Sequence, residues 1–249
     1  MEIFRGIQEL KRPLRHPVVT IGNFDGVHLG HRQIIQMAVQ KARSRQGEAA
    51  AYTFRPHPQL ALRPDSPVRL LSTYDEKLEL LEEAGLDVVI EEPFGREFSE
   101  TPPSVFFTDV ILRRISAEAV VVGYDFAFGK GREGNLQVLE KFCKDSGIEF
   151  TVVSPVKIGN EVASSSKIRQ HLLAGQIAEA NALLGREFSY RGIVIRGDQR
   201  GRVIGCPTAN IQPADKLAIP YGVYVTRSVV DGQVLPSVTS VGVRPTFEG

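Results

Sequence analysis

Short apolar runs alternate with amphipathic stretches along the first 150 or so residues of the chain. "HPVVTIG" and "EAAAYTF" read as buried strands, and between them "HRQIIQMAVQKARSR" places Ile34, Ile35, Ala38 and Ala42 on one helical face. The same grammar continues with a helix in "TYDEKLELLEEAG" that Gly85 closes, a strand in "LDVVIEEPF" and a helix in "TPPSVFFTDVILRRIS". A strand in "AEAVVVGYDF", a helix in "NLQVLEKFCKDSG" and a strand in "IEFTVVSPV" complete it. This regular alternation predicts a parallel sheet covered by helices on both faces, an α/β fold that binds ligands beyond the carboxyl ends of its strands.

Beyond "SSSKIRQHLLAGQIAEANALLG" the period changes from that of a helix to that of a strand. "FSYRGIVIRG", "GVYVTRSVV" and "QVLPSVTSVGV" alternate with period two, are broken by Gly, Pro and Asp, and have no convincing helix between them. The pattern therefore divides the chain near Gly185, into an α/β unit over 1–184 and an all-β unit over 185–249. No solenoid repeat or low-complexity linker interrupts it.

Composition narrows the partners. Lys and Arg number 30 against 29 Asp and Glu, so the formal charge of +1 offers no general attraction to nucleic acid or a membrane surface. An anionic ligand must be held by local features. Cys143 and Cys206 are far apart, which excludes a CxxC pair and suits a reducing cytoplasm. The N-terminal "MEIFRGIQELKRP" carries no apolar signal segment, and no apolar run reaches the roughly eighteen residues of a membrane span.

Candidate chemistry concentrates in "TIGNFDGVHLGHRQII", where the first strand hands over to the first helix. Gly22, Gly26 and Gly30 permit a sharp turn and a close approach of backbone to ligand. The free N–H groups and positive dipole end of the helix point at that turn. His28 and His31 add two imidazole donors, stronger when protonated, and the combination favours a phosphate chain. Either histidine alone would suit a helix cap or the surface, and a metal site lacks an evident third ligand. In "SSSKIRQHL" the hydroxyls of Ser164, Ser165 and Ser166 cap a helix or donate to phosphate, with Arg169 one turn on as a two-pronged donor. "GYDFAFGKGREGN" offers Asp125 to a flavin or nucleotide, and Phe126 and Phe128 either to a flat apolar pocket or to the core. The prolines of "RPHP" stiffen a loop in which His57 reads as structural.

Four of these stretches, "GNFDGVHLGH", "TFRPHP", "VGYDFAFGKGREGN" and "SSSKIR", in this order resemble the nucleotidylyltransferase superfamily and, within it, the bacterial bifunctional riboflavin kinase/FMN adenylyltransferases. The resemblance implies a Rossmann-like domain that transfers AMP from ATP to FMN with Mg2+, giving FAD and pyrophosphate. It implies His28, His31 and Arg169 as catalytic, Gly22, Phe24, Gly30 and Ser164 to Ser166 on ATP phosphates, and Asp125, Phe126 and Phe128 on the flavin or nucleotide. That family usually has threonine where Ser166 stands, a change that keeps the hydroxyl.

"GDQRGRVIGCPTANI", "PYGVYV" and "SVGVRPTF" resemble the same family's riboflavin kinase barrel. There Gly201 and Gly205 would let a loop close over ATP phosphates, and Thr208 and Asn210 would hold Mg2+, in the conversion of riboflavin and ATP to FMN and ADP. The sequence stops at Gly249, and Glu248 falls too early to match that family's catalytic glutamate, so an incomplete barrel and doubtful kinase activity are expected. Competing readings are a nucleotidylyltransferase with another phosphate acceptor and a flavin- or nucleotide-binding regulator without turnover. The expected partners are the small molecules ATP, FMN and riboflavin, with no nucleic acid and no membrane; the sequence does not specify an oligomeric state.

Overall fold

A computed structural model of the chain describes residues 1–63, 65, 68–197, 205 and 208–242. Six strands form a parallel sheet in the order β1-β4-β3-β2-β5-β6: β1 Glu2–Phe4, β2 Val18–Ile21, β3 Ala49–Arg55, β4 Val88–Pro93, β5 Ala119–Gly123 and β6 Glu149–Val153. The main helices are α1 Leu29–Ser44, α2 Pro58–Leu62, α3 Tyr74–Glu83, α4 Arg96–Ser99, α5 Pro103–Val105 and α6 Leu136–Asp145. The short α5 runs directly into a π-helix over Phe106–Arg114. A small hairpin, β7 Lys157–Ile158 with β8 Glu161–Val162, precedes α7 Ser165–Leu173 and α8 Ile177–Leu184.

The sheet is buried on both sides because each strand sends alternate residues to opposite faces. Val19, Ile21, Ala50, Tyr52, Val120 and Val122 pack with the π-helix and α6, while Val18, Ala49, Ala51, Val89, Ala119 and Val121 pack with α1 and α3. On α1 the buried positions are Ile35, Ala38 and Ala42, the face expected from the sequence, with Ile34 only partly covered. Each large aliphatic side chain buried in this way contributes about 1.5–3 kcal/mol. The capping box of Thr73 and Glu76 starts α3, and Gly185 ends α8 in the left-handed conformation (φ 71). Strand order reverses between β2 and β5, so the β2–α1 turn opens at the crevice where a sheet of this kind binds ligands.

In the second unit β9 Gly192–Ile195 pairs antiparallel with β10 Asn210–Pro213, and β11 Gly222–Val230 pairs antiparallel with β12 Gln233–Val241. The strands expected near Ile193, Val225 and Val238 thus form, but their side chains remain largely exposed. A third cluster joins the units. Leu217 of the second inserts among Leu71, Ile168, Leu172, Leu183 and Leu184 of the first, and its N–H donates to the Leu70 carbonyl at 2.8 Å. Beside it the buried Lys216 ammonium lies 2.8 Å from Glu76 Oε2.

Candidate active site

The β2–α1 turn is built from strained backbone. Phe24 (φ 52), Gly26 (φ 76) and Val27 (φ 36) all adopt the left-handed region, and a Cβ on Gly26 would come 2.9 Å from Leu71. His28 then caps α1, its Nδ1 accepting the His31 backbone N–H at 3.4 Å, which leaves Nε2 as its proton-bearing nitrogen. The two imidazoles stack with centroids 3.7 Å apart, and Phe24 meets His31 edge-on at 5.3 Å.

Sequence reasoning expected these imidazoles to act as stronger donors once protonated; the structure keeps them neutral. Burial, then the charges of Arg186 and Arg169, lowers His28 to about 4, and burial with its neighbour His28 drives His31 well below its ordinary value. They therefore present N–H dipoles at neutral pH. His31 Nδ1 is buried with no hydrogen-bond partner among the described residues, an orphan that a bound ligand would satisfy.

A second helix start converges on the first. A Cβ on Gly30 would lie 3.2 Å from the Ala163 carbonyl, so α1 and the segment leading into α7 approach closely. Ser164 caps α7 by accepting the Lys167 N–H at 3.3 Å, and Ser165 Oγ donates to the Asp25 carbonyl at 3.0 Å. Ser166 is exposed. The Asp25 carboxylate sits at the junction, accepting from the backbone N–H of Leu71 at 2.9 Å and of Ser72 at 3.3 Å and pairing with Arg169. Burial pushes the Asp25 carboxyl up, against the pull of Arg169 and these N–H groups. Arg169 also donates through Nε to the Arg69 carbonyl at 2.8 Å. The structure thus brings Gly22, Phe24, His28, Gly30, His31, Ser164, Ser165 and Arg169 around two converging helix N-termini, an arrangement that suits a phosphate chain.

The other candidates lie elsewhere. Asp125 is exposed beyond the end of β5, while Phe126 stacks on the buried Phe128 at 5.5 Å and Phe128 packs against Phe106. Thr208 and Asn210 are exposed, Asn210 opening β10 with its amide against Gly197, and Gly205 has φ 79. Gly201 falls outside the described residues. His57 is buried, caps α2 and is lowered to about 4 by burial and by Arg169 and Lys77.

Two residues were missed. Lys77 lines a small cavity with Asn23, Asp25, Phe54, His57 and Tyr74; its ammonium lies 3.2 Å from Thr53 Oγ1 and 3.2 Å from the buried Glu91, and burial pushes it down to about 7. The signal was its place on the apolar stripe of α3 with Leu78 and Leu81. Arg186 follows the glycine that ends α8 and donates to the Val27 carbonyl at 3.4 Å. It had no helical or strand pattern to mark it.

The family model for FAD synthetase matches residues 10–167, which carry β2 through the Ser164 to Ser166 cap, and the model for riboflavin kinase matches residues 184–249. The bifunctional riboflavin kinase/FMN adenylyltransferase of Escherichia coli (strain K12) is 36% identical over 251 residues, covering 100% of this chain and 80% of its own length. The chain belongs to the bifunctional riboflavin kinase/FMN adenylyltransferase family. Another member, from Bacillus subtilis (strain 168), is 35% identical over 96% of this chain and 75% of its own. A solved chain described as a macrolide-efflux protein from Streptococcus pneumoniae is 30% identical and superposes with a TM-score of 0.87 over 99% of this chain and 80% of that one. Among the described residues of this family member, no helix is long and apolar enough to cross a membrane.

Proposed function

We propose that the first unit makes FAD by adenylyl transfer at the two converging helix N-termini. A phosphate oxygen of FMN forms a bond to the α-phosphorus of ATP, the bond from that phosphorus to its bridging oxygen breaks, and pyrophosphate leaves with the electron pair. The attacking phosphate is already anionic, so no protein nucleophile is needed, and alignment and charge stabilisation carry the rate. In this reading His28 and His31 donate N–H groups to the transferring phosphoryl and the leaving pyrophosphate. Ser164 and Ser165 fix the start of α7 against the β2–α1 turn. Arg169 approaches the phosphates from the opposite side, held in place by Asp25, while Gly22, Phe24 and Gly30 shape the turn. Asp125 and Phe126 are proposed to contact the flavin or nucleotide beyond the end of β5, with Phe128, buried against Phe106, supporting Phe126 from the core.

The observation that carries this reading is the joining of the His28 turn to the Ser165 cap through Ser165 Oγ and the Asp25 carbonyl. The proposed second reaction, riboflavin and ATP to FMN and ADP, belongs to the second unit, with Gly201, Gly205, Thr208 and Asn210 at the nucleotide. Magnesium fits there as an ion carried by ATP: Thr208 and Asn210 supply neutral oxygen donors, which suit a cation already coordinated by phosphate and water. It would neutralise charge on the nucleotide. Among the described residues no group of three or more His, Cys, Asp and Glu side chains is placed to hold a metal ion by itself. A reducing cytoplasm is the proposed setting, in keeping with the free, buried Cys143.

The test is pyrophosphate release by the whole chain with ATP, magnesium and either FMN or riboflavin. Release with stoichiometric FAD on FMN supports the reading. Release with another phosphate acceptor but not FMN would replace it by a different nucleotidylyl transfer, and FMN retention without release would make the chain a binding protein.

A further inference from the structure

Two guanidinium groups bear on His28, and they are not equivalent. Arg169 is committed to Asp25 and to the Arg69 carbonyl. Arg186 is half-buried, and its one hydrogen bond among the described residues is the 3.4 Å contact to the Val27 carbonyl, one residue before His28; no described carboxylate pairs with it. Its position is fixed from both sides. Gly185 lies so close to α1 that a Cβ there would come 2.4 Å from Leu29 Cδ2, and the next residue, Arg186, therefore starts beside the first turn of that helix.

A second cation stands on the same side of α1: Arg32 lies one turn after His28 and three residues after Leu29, the residue that Gly185 packs against. Its Nε is buried with no hydrogen-bond partner, and it forms no ion pair among the described residues. Burial and then the charge of Arg32 lower the affinity of Arg186 for its proton, against the weaker pull of Glu76, Glu83 and Asp25. Two partly buried guanidinium groups with no ion pair among the described residues, both beside the first turn of α1, are costly unless an anion joins them, because a charge withdrawn from water without a partner loses hydration. The planar fork of each matches phosphate oxygens.

We propose that Arg186, from the segment joining the two units, and Arg32 form the seat of the pyrophosphate moiety beside His28. The inference rests on the adenylyl-transfer reading for its biological use and assigns the leaving group's side of that site, opposite the Asp25–Arg169 pair. It makes the joining segment part of the first active site.

The experiment uses the whole chain. Magnesium pyrophosphate and ATP are titrated calorimetrically into wild type, Arg186→Gln, Arg186→Lys and Arg32→Gln, and FAD formation is followed with ATP and FMN varied separately. Arg186→Gln is expected to weaken pyrophosphate and ATP binding by about tenfold or more, as loss of a charge-assisted contact does. The KM for FMN and the melting temperature should stay at wild-type values. Arg186→Lys should recover part of the loss, and Arg32→Gln should show the same selective effect. Wild-type pyrophosphate affinity in a folded Arg186→Gln chain overturns the proposal. So does a parallel rise of both KM values, which would mark Arg186 as a tie to Val27 only. If Arg186→Gln does not fold, Arg32→Gln decides by the same criteria. A wild type that binds pyrophosphate through Arg186 yet forms no FAD would uphold this seat and refute the adenylyl-transfer reading instead.

Discussion

The two units use similar strand residues to opposite effect. In the first, Val121 on β5 is 0% exposed between α1 and the neighbouring strands; in the second, Val225 on β11 is 93% exposed. Alternation of apolar and polar residues is enough to make a strand, but burial requires a second layer, which the helices provide only in the first unit. The chemistry follows the packing. Near His28 the Asp25 carboxylate and Ser165 are set by partners distant in sequence, Asp25 by Leu71, Ser72 and Arg169, whereas Thr208 and Asn210 stand exposed. Tertiary contacts preorganise the proposed first site; in the proposed second one a nucleotide would have to do more of the organising.

The sharpest way to break this contrast is at the point where the units meet. Lys216→Ala leaves Glu76 buried without its cation and should cost about 3–5 kcal/mol in urea unfolding, with Lys216→Met no better. A loss below about 1 kcal/mol would show that the Lys216–Glu76 pair contributes nothing where the units meet. Next in size, His31→Ala should slow FAD formation by about 100- to 1000-fold, the usual effect of removing one donor from a preorganised anion site, measured as single-turnover pyrophosphate release. A tenfold effect or less would place His31 among structural residues.

Acid should act on the first unit selectively. His57 has its pKa depressed to about 4, so from about pH 6.5 downward the unfolded chain takes up a proton that the folded chain refuses. Stability present above pH 6.5 is lost as pH falls toward 4, by about 2 kcal/mol at pH 5 for this one residue. His57→Asn should remove that share of the pH dependence, and an unchanged dependence would refute the assignment. The smallest effect is expected at Val225→Thr, within about 0.5 kcal/mol, while the same change at Val121 buries a hydroxyl and should cost about 1–3 kcal/mol. Equal costs would mean that β11 is covered in solution.

Much of this was legible from residue order. The sheet and its helices follow from periodicity, and the His28 turn and Ser164 cap from residue types at a strand-to-helix junction. The edge strand β1 was not, because Glu2, Ile3 and Phe4 are too few to show a period, and the π-helical winding of Phe106–Arg114 was hidden inside an ordinary amphipathic pattern. The histidines' neutrality depends on burial, and the commitment of Arg169 to Asp25 on a contact 144 residues away in sequence. Neither leaves a local trace. Arg186 was passed over because it looks like punctuation after Gly185; only the fold shows that it reaches Val27.

The seat of Leu217 among Leu71, Ile168, Leu172 and Leu183 has a consequence for a chain being synthesised from its N-terminus. When the ribosome has released Gly185, every strand of the parallel sheet is available, but the groove between α7, α8 and the Leu71 segment still lacks its final occupant. Domains generally fold as they emerge. Here the first must wait with an open apolar slot until the stretch around Lys216 and Leu217 leaves the exit tunnel, so the seam that divides the sequence into two parts is not the seam along which the molecule becomes whole.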